Sequence, residues 1–245
     1  MERCAVYMAT RNLYQALVPA VYSLAYHTHV DRIFLMIEDD RLPRELPVDG
    51  IEIINVSRQT IFPPDGPNYN SHWTYMVLLR AALARILPGD VDRVLSLDTD
   101  TIVLEDIGDV WDIPMDGAYM AMVRDVPWMQ EAGRPYFNAG VCLHNLALQR
   151  DGTAERVVRM LNERKLEFAE QDAFNEVYGG RIRELPQELN VMPFAFGDIR
   201  NARILHYAGL HNYDDYLVVQ GYRDKALDAI TRRARRRAAL EGADE

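Results

Sequence analysis

The sequence predicts an α/β fold in which helices flank a sheet, and three observations predict it. Short Val-, Ile- and Leu-rich runs of strand length alternate with segments of helical apolar spacing, in the order β-α-β-β-α-β over residues 5–97. The run Val94-Leu95-Ser96-Leu97 suits a buried strand of a mostly parallel sheet and ends in two carboxylates, Asp98 and Asp100, at the strand end where open α/β sheets bind ligands. No Pro-, Gly- or Ser-rich linker divides the 245 residues, which are 49% hydrophobic and 26% charged, as in an ordinary globular protein.

Residues 5–9 read as the first strand, which Thr10-Arg11-Asn12 interrupts. From 14 to 27, Leu17, Val18, Val21, Leu24 and Ala25 recur at the spacing of one helical face. Pro19 lies in the first turns, where its missing N–H does least harm. Residues 32–38 form a second strand closed by acids, and 51–56 a third. Composition marks 62–70 as loop. Ser71 is placed to cap a helix to about residue 87, with Tyr75, Leu78, Leu79, Ala82 and Ile86 on its apolar side, and Pro88-Gly89-Asp90 stops it. Beyond the fourth strand, 104–111 reads as a helical turn on the surface. Residues 118–123 and 137–143 are strands around a loop at 124–135. Residues 154–165 and 171–178 are helices, the second ended by Gly179-Gly180. Short strands at 181–185 and 203–206 and a helix at 226–240 complete the chain. The expected organisation is one domain over 1–221 with a basic C-terminal helix or tail over 222–245.

Composition narrows the function classes. A net charge of −10 argues against nucleic acid as a partner. Cys4 and Cys142 sit inside apolar runs, which argues against a disulfide scaffold and fits a reducing cytoplasm. The amino terminus has no apolar h-region, and no window approaches eighteen uninterrupted apolar residues, so neither a signal peptide nor a membrane span is expected. The charge is uneven. Residues 223–237 hold seven basic side chains (Arg223, Lys225, Arg232, Arg233, Arg235, Arg236, Arg237) against Asp224 and Asp228, about +5, which leaves about −15 elsewhere. With Ala226, Leu227, Ile230 and Ala234 on one side, this segment reads either as a basic interfacial helix at the inner face of an anionic membrane or as a solvated helix end whose arginines offset the dipole.

Alternate side chains of a strand share one face, so Asp98 and Asp100 are expected to converge. Two anions held together repel unless a cation lies between them, and hard divalent cations such as Mg²⁺ and Mn²⁺ prefer oxygen ligands. A bare D-x-D reads equally as a strand end meeting a polar turn, with both aspartates as local caps. An EF-hand loop fails, because Ile102 and Val103 stand where an oxygen ligand and glycine belong.

Six motifs occur in one order along the chain: Thr10-x-Asn12-x-Tyr14 after the first strand, Thr74-Tyr75 on the helix before the aspartates, Leu97-Asp98-Thr99-Asp100, Phe137-Asn138-Ala139-Gly140-Val141 followed by Asn145-Leu146, Gln171-Asp172-x-x-Asn175, and His206-Tyr207-Ala208-Gly209. Together, to about residue 213, they resemble glycosyltransferase family 8, the retaining family that includes glycogenin and bacterial lipopolysaccharide galactosyltransferases. The resemblance implies a GT-A fold, a single Rossmann-like mixed sheet flanked by helices, with a nucleotide-sugar site at the carboxyl ends of the strands. It implies a hexosyltransferase that uses a UDP-sugar and passes the sugar to a glycan, a lipid-linked sugar or a protein. Asp98, Asp100 and His206 would bind Mn²⁺ or Mg²⁺, and this mixed O/O/N set suits Mn²⁺ better than Ca²⁺. Thr10, Asn12, Tyr14, Asp98, Thr99 and Gly209 would contact the donor nucleotide. Gln171 would sit beside the anomeric carbon, Glu170 takes the place of the family's Asp, Asn138 would contact donor-sugar hydroxyls, and Arg80 is a candidate for sugar and diphosphate. Read without the family, His206 is a satisfied histidine at a strand end, Asn138 a turn residue, Glu170-Gln171-Asp172 a helix N-terminus and Arg80 a solvated helix charge.

Two departures stand out. Where the family often has K-P-W, this chain has Asn212-Tyr213-Asp214, so another cation such as Arg80 or Arg200 would have to serve the diphosphate. Glu170 is one methylene longer than the family's Asp. Two alternatives remain open at this point. Asp98-Thr99-Asp100-Thr101 also fits a haloacid-dehalogenase-like phosphohydrolase, in which the first Asp attacks phosphate, although that family's later G-D-x-x-x-D is incomplete here, with Ala202 at its last position. A degenerate domain that binds a nucleotide-sugar without catalysis would also tolerate the missing Lys.

Overall fold

A computed structural model describes residues 2–43, 46–71, 73–130, 134–196, 198–209 and 213–241. The chain adopts the expected α/β fold. Its strands are β1 (Cys4–Ala9), β2 (Arg32–Ile37), β3 (Ile51–Asn55), β4 (Arg93–Leu97), β5 (Thr101–Val103), β6 (Met120–Arg124), β7 (Phe137–Asn145), β8 (Ile182–Leu185) and β9 (Ile204–His206). Its helices are α1 (Tyr14–His27), α2 (Tyr75–Leu79), α3 (Leu83–Ile86), α4 (Leu146–Gln149), α5 (Thr153–Glu163), α6 (Ala169–Val177) and α7 (Leu217–Glu241). Seven strands form one mixed sheet in the order β3-β2-β1-β4-β7-β6-β8. The first four run parallel, and β7 is antiparallel to both its neighbours. In addition to the expected sheet, β5 and β9 form a separate antiparallel ribbon.

Strand alternation divides the core. On one face Tyr7, Leu35, Leu97 and Leu143 pack against Leu17, Val21 and Leu24 of α1. On the other, Val6, Phe34, Met36 and Cys142 pack against Met76, Leu79, Val157 and Phe174. Because helices cover both faces, the central strands read as continuous apolar runs. A third cluster joins the ribbon to α7 through Ile102, Leu205, Tyr213, Val219 and Tyr222. Cys4 and Cys142 are buried free thiols.

Three local expectations are corrected. The helix expected from Ser71 to about 87 begins at Tyr75 and is broken by a 3-10 turn at Arg80–Ala82; Ser71 caps nothing, and its hydroxyl donates to the Trp73 carbonyl at 2.8 Å. The turn expected on the surface at 104–111 is a 3-10 turn at Gly108–Asp112, and Trp111 within it is fully buried, its indole N–H donating to the Cys4 carbonyl at 2.9 Å. The flanking acids suggested a wet segment, but the large indole area decides the packing. The last helix begins at Leu217 rather than 226, and Val219, Tyr222 and Ala226 are buried on its inner side. Among the described residues no helix is long and apolar enough to cross a membrane.

Candidate active site

The two aspartates converge, but not by strand alternation. β4 ends at Leu97, and residues 98–100 form a tight turn in which the Thr101 amide and hydroxyl both donate to the Asp98 carbonyl, at 3.2 and 2.7 Å. The Asp98 amide donates to the Gly140 carbonyl of β7 at 2.9 Å, which fixes the turn to the sheet. Thr99 lies at its tip, half-buried.

The ribbon delivers His206 to this turn. In the β5–β9 register Thr101 faces His206, and the Tyr207 amide donates to the Asp100 carbonyl at 2.9 Å. His206 Nε2 lies 3.4 Å from an Asp100 oxygen and 3.6 Å from an Asp98 oxygen. Ligand atoms of Asp98, Asp100 and His206 all lie within 4.8 Å of one another. Nδ1 of the buried ring is 2.8 Å from Asn190 Oδ1, and the Asn190 amide nitrogen itself donates to Asn138 Oδ1 at 2.9 Å. Asn190 Oδ1 is therefore an acceptor, His206 Nδ1 carries a proton, and the Nε2 lone pair faces the two carboxylates. Two carboxylate oxygens and one imidazole nitrogen, with the far ring nitrogen held by a polar partner, fit a divalent cation of the Mn²⁺ or Mg²⁺ kind. A proton competes for the same point: burial alone would lower the His206 pKa, but Asp100 and then Asp98 raise it above the ordinary value. Burial opposes ionisation of Asp100, yet His206 holds its carboxyl below the usual range.

Gly140 is the reason the ring fits. A Cβ built there would stand 2.1 Å from His206 Cε1. The glycine of the F-N-A-G-V segment thus leaves a flat place on β7 for the histidine.

Arg80 is not a solvated helix charge. It is 3% exposed, beneath the turn, paired to Asp98 Oδ1 and to Glu170 Oε1 at 3.1 Å, with a further bond to the Ala139 carbonyl at 2.5 Å. Burial would lower its pKa, and Asp98 and Glu170 hold it up. Burial pushes the Glu170 carboxyl up to about 7, against the pull of Arg80. Arg200, the other cation considered, is exposed and paired with Asp198. Asn212 lies outside the described residues, as does Gly197.

Beside the turn lies a buried amide network. Gln171 Oε1 accepts from the Ala139 amide at 2.9 Å and from Asn138 Nδ2 at 3.2 Å, while its Nε2 donates to Asp125 Oδ2 at 2.8 Å. Asn138 Oδ1 also accepts from the Gly140 amide at 2.9 Å. Asn175, one turn along α6, clamps Phe137 with both ends of its amide, at 2.8 and 2.9 Å. The start of α6 is strained: Ala169 has φ of 45°, in the left-handed region that a Cβ disfavours. That strain presents Glu170 and Gln171 inward, 5% and 8% exposed.

Thr10, Asn12 and Tyr14 follow the carboxyl end of β1, which pairs with β4 in register Tyr7–Leu97, so they stand at the same sheet edge as the aspartates. Thr10 Oγ1 donates to Asn12 Oδ1 at 2.5 Å. The Tyr14 hydroxyl donates to Asp39 at 2.9 Å and accepts from the Glu38 amide at 3.0 Å. Tyr75 donates to Glu38 Oε1 at 3.1 Å and stacks on Tyr69 at 4.8 Å. Thr10, Tyr69, Asn70, Ser71, Trp73, Thr74 and Tyr75 line a cavity of ≈ 350 Å³. Gly209, past the end of β9, has φ of 70°.

The family resemblance implies one site for Asp98, Asp100, His206, Asn138, Gln171, Glu170 and Arg80, and their side chains lie in one connected cluster. No motif marks Asp125, Asn190, Glu38 or Asp39, which bond to these residues or to Tyr14 and Tyr75. The acids closing β2 are visible as a pattern; Asp125 follows the short strand β6 and Asn190 a 3-10 turn at Gln187–Leu189, and neither has a motif of its own.

Residues 7–212 match the model of glycosyl transferase family 8. Among curated relatives, glycosyltransferase GlyA of Streptococcus pneumoniae serotype 4 is 26% identical over 243 residues, covering 91% of this chain and 34% of that protein. Lipopolysaccharide 1,2-glucosyltransferase of Escherichia coli K12 is 28% identical over 133 residues, covering 49% of this chain and 39% of that protein. The chain thus spans between a third and two fifths of the length of these relatives. Among solved structures, galactosyltransferase LgtC in complex with donor and acceptor sugar analogs superposes with a TM-score of 0.71 at 18% identity, covering 91% of this chain and 96% of that one. Glycosyltransferase GlyE of Streptococcus pneumoniae TIGR4 gives 0.68 at 18% identity, covering 95% and 63%. The fold is of the GT-A type, and by the match over residues 7–212 the chain belongs to glycosyl transferase family 8.

Proposed function

We propose that this chain is a metal-dependent, retaining glycosyltransferase that moves a hexose from a UDP-sugar to an acceptor hydroxyl. The observation that carries this reading is the convergence of Asp98, Asp100 and His206, from two distant segments, on one point. These three would hold Mn²⁺ or Mg²⁺. When bound, the ion supplies Lewis-acid stabilisation of the charge that builds on a diphosphate as the sugar departs. Asn190 keeps the proton on His206 Nδ1 and so leaves Nε2 free as a ligand. Arg80 neutralises Asp98 and Glu170 from below. Buried beneath Asp98, it braces an aspartate that would hold the metal, a role different from that of the family's Lys, which binds the diphosphate itself.

Gln171 and Asn138, held by Asp125 and the β7 backbone, would face the donor sugar and orient it. Thr10, Asn12, Tyr14, Thr99 and Gly209 would line the nucleotide side. An amide is a poor nucleophile, and Glu170 is committed to Arg80. The acceptor oxygen therefore attacks C1 on the face the leaving group vacates, the C1–O bond to phosphate breaks, and the acceptor proton passes to the departing phosphate oxygen. Trapping a glycosyl adduct on Glu170 would overturn that step. The phosphohydrolase reading is not favoured: residues 7–212 match a glycosyltransferase family, and the later G-D-x-x-x-D that a phosphohydrolase needs is broken by Ala202.

The test is a panel of UDP-sugars with Mn²⁺, scoring UDP released without acceptor. Turnover of at least one sugar, lost in Asp100→Asn, supports the reading and removes the non-catalytic alternative. No UDP from any sugar, with Asp100→Asn binding Mn²⁺ as the wild type does, removes the transferase. The reading extends to a cytoplasmic enzyme meeting the inner face of an anionic membrane through the exposed Arg232, Arg235 and Arg236 of α7. Liposome co-sedimentation of a variant with these three arginines changed to Gln tests it, and unchanged binding sinks it. Point substitution keeps the helix in place, since Ala226 is fully buried.

A further inference from the structure

Two large aromatic side chains stand in solvent beside the buried amide network. Trp128 is 66% exposed and Phe194 50%, with ring centroids 6.2 Å apart at an interplanar angle of 48°. They come from separate segments, and each is rooted in the site. Trp128 lies in a 3-10 turn, Pro127–Met129, that begins two residues after Asp125, the partner of Gln171 and Asn138. Gln130 clasps that turn: its Nε2 donates to the carbonyls of Asp125 and Tyr136 at 3.0 and 2.8 Å, and the Tyr136 amide donates to its Oε1 at 3.1 Å. Buried Val126 pins the turn from inside. Phe194 lies in the turn after Asn190, the partner of His206 and Asn138. There the amides of Ala195 and Phe196 both donate to the carbonyl of buried Met192 at 3.0 Å.

The chain forgoes the burial of two large apolar side chains, which ordinarily favours the interior. Their contact builds one surface from two turns that share the buried network through Asp125, Asn138 and Asn190. Exposed apolar side chains brought together from two anchored turns, next to a site, offer a place to bind. The ring face carries negative potential, and one face of a pyranose presents polarised C–H groups, so the two stack.

We propose that Trp128 and Phe194 form the acceptor platform, and that the acceptor is a saccharide whose pyranose ring stacks there with its hydroxyl directed toward the Asn138–Gln171 network. This rests on the transferase reading above and selects a sugar, rather than a protein side chain, as the acceptor. Both rings are specificity-determining residues that touch the acceptor and not the reacting phosphate.

The test is saturation-transfer NMR titration of the protein, loaded with UDP and diamagnetic Mg²⁺, against lactose, maltose, N-acetyllactosamine, octyl β-glucoside below its micelle concentration, and N-acetyltyrosinamide. The expected result is binding of at least one saccharide. Trp128→Ala and Phe194→Ala each weaken it by roughly five- to tenfold, the scale of one aromatic stacking contact. Trp128→Phe restores it to within about twofold on the same scale. Each variant is checked for UDP binding and for its unfolding temperature, so that a misfolded protein is not scored. Selective binding of the octyl glucoside over the free disaccharides identifies a lipid-linked sugar, and the reverse a free glycan. The proposal is overturned if no saccharide binds the wild type, if Trp128→Ala binds as the wild type does, or if N-acetyltyrosinamide binds more tightly than every sugar. UDP release without acceptor is read separately. A wild type that releases UDP but shows no dependence on Trp128 keeps the transferase reading and loses this one.

Discussion

Gly140→Ala is the sharpest single perturbation of the proposed metal triad, because it adds one methyl group and leaves Asp98, Asp100 and His206 in place. The new Cβ would stand 2.1 Å from His206 Cε1, 2.6 Å from Nδ1 and 2.9 Å from Nε2. Carbon atoms pack at about 3.5 Å, so the ring must retreat by roughly 1.4 Å. It has little room to do so, since it is 2% exposed and tied to Asn190 at 2.8 Å. Metal–ligand distances tolerate about 0.2 Å, so the displaced nitrogen is lost as a ligand. Removing a partner of a ligand costs about 10–100-fold in metal affinity, and displacing the ligand itself costs at least the upper end of that range. The overpacked strand should also lose about 1–3 kcal/mol, or about 2–4 °C in Tm per kcal/mol for a chain of this size. Mn²⁺ binding followed by electron paramagnetic resonance and urea denaturation give the two readouts. In a His206→Ala background the three atoms nearest the new Cβ are gone, and the same substitution should cost less in stability, as a double-mutant cycle resolves. Wild-type Mn²⁺ affinity in Gly140→Ala, or an equal stability cost in both backgrounds, would refute the reasoning.

Asn190→Ala should weaken Mn²⁺ about 10–100-fold by freeing the His206 tautomer, with Asn190→Asp, which still accepts from Nδ1, recovering most of the loss; calorimetric titration decides. Arg80→Ala leaves two largely buried carboxylates unpaired and should cost about 3–5 kcal/mol in denaturant unfolding, part of which Glu170→Gln restores in the double variant. His144 is buried between Ser96 and Gln149, and burial, helped by Arg80, lowers its pKa to about 3. The folded pKa is depressed, so the stability it contributes is full above its unfolded value near 6.5 and is lost as pH falls toward 3. One proton taken up on unfolding corresponds to about 1.4 kcal/mol per pH unit between pH 6 and 4. His144→Gln should remove that slope from the urea midpoints, and an unchanged slope would show that other groups carry it.

The elements that were legible in the sequence are those whose burial has a period. α1 covers the residues that the spacing of Leu17, Val21 and Leu24 marks out, and the strands on either side of the central β4 appear as apolar runs because helices cover both faces of the sheet. Local pattern misleads in two places. Trp111 stands among acids yet lies in the core, and the apolar spacing from Ser71 to 87 runs through a 3-10 turn that sets Arg80 inward. No spacing rule distinguishes an arginine on a wet helix face from one that neutralises Asp98 and Glu170 beneath a turn, since the difference lies in what covers it.

The sequence by itself determined the α/β class, the carboxylate pair at a strand end and, through six ordered motifs, the family. Only the tertiary structure decided how those motifs meet. His206 reaches Asp98 and Asp100 because β5 and β9 pair in one register, and it fits because Gly140 has no side chain. Asp125 and Asn190, each without a motif, complete the network through bonds to residues 46 and 52 positions away. Hydrogen-bond partners at that separation are chosen by packing. A residue's type and its near neighbours fix what it is able to bind, and the fold alone fixes which groups it finds.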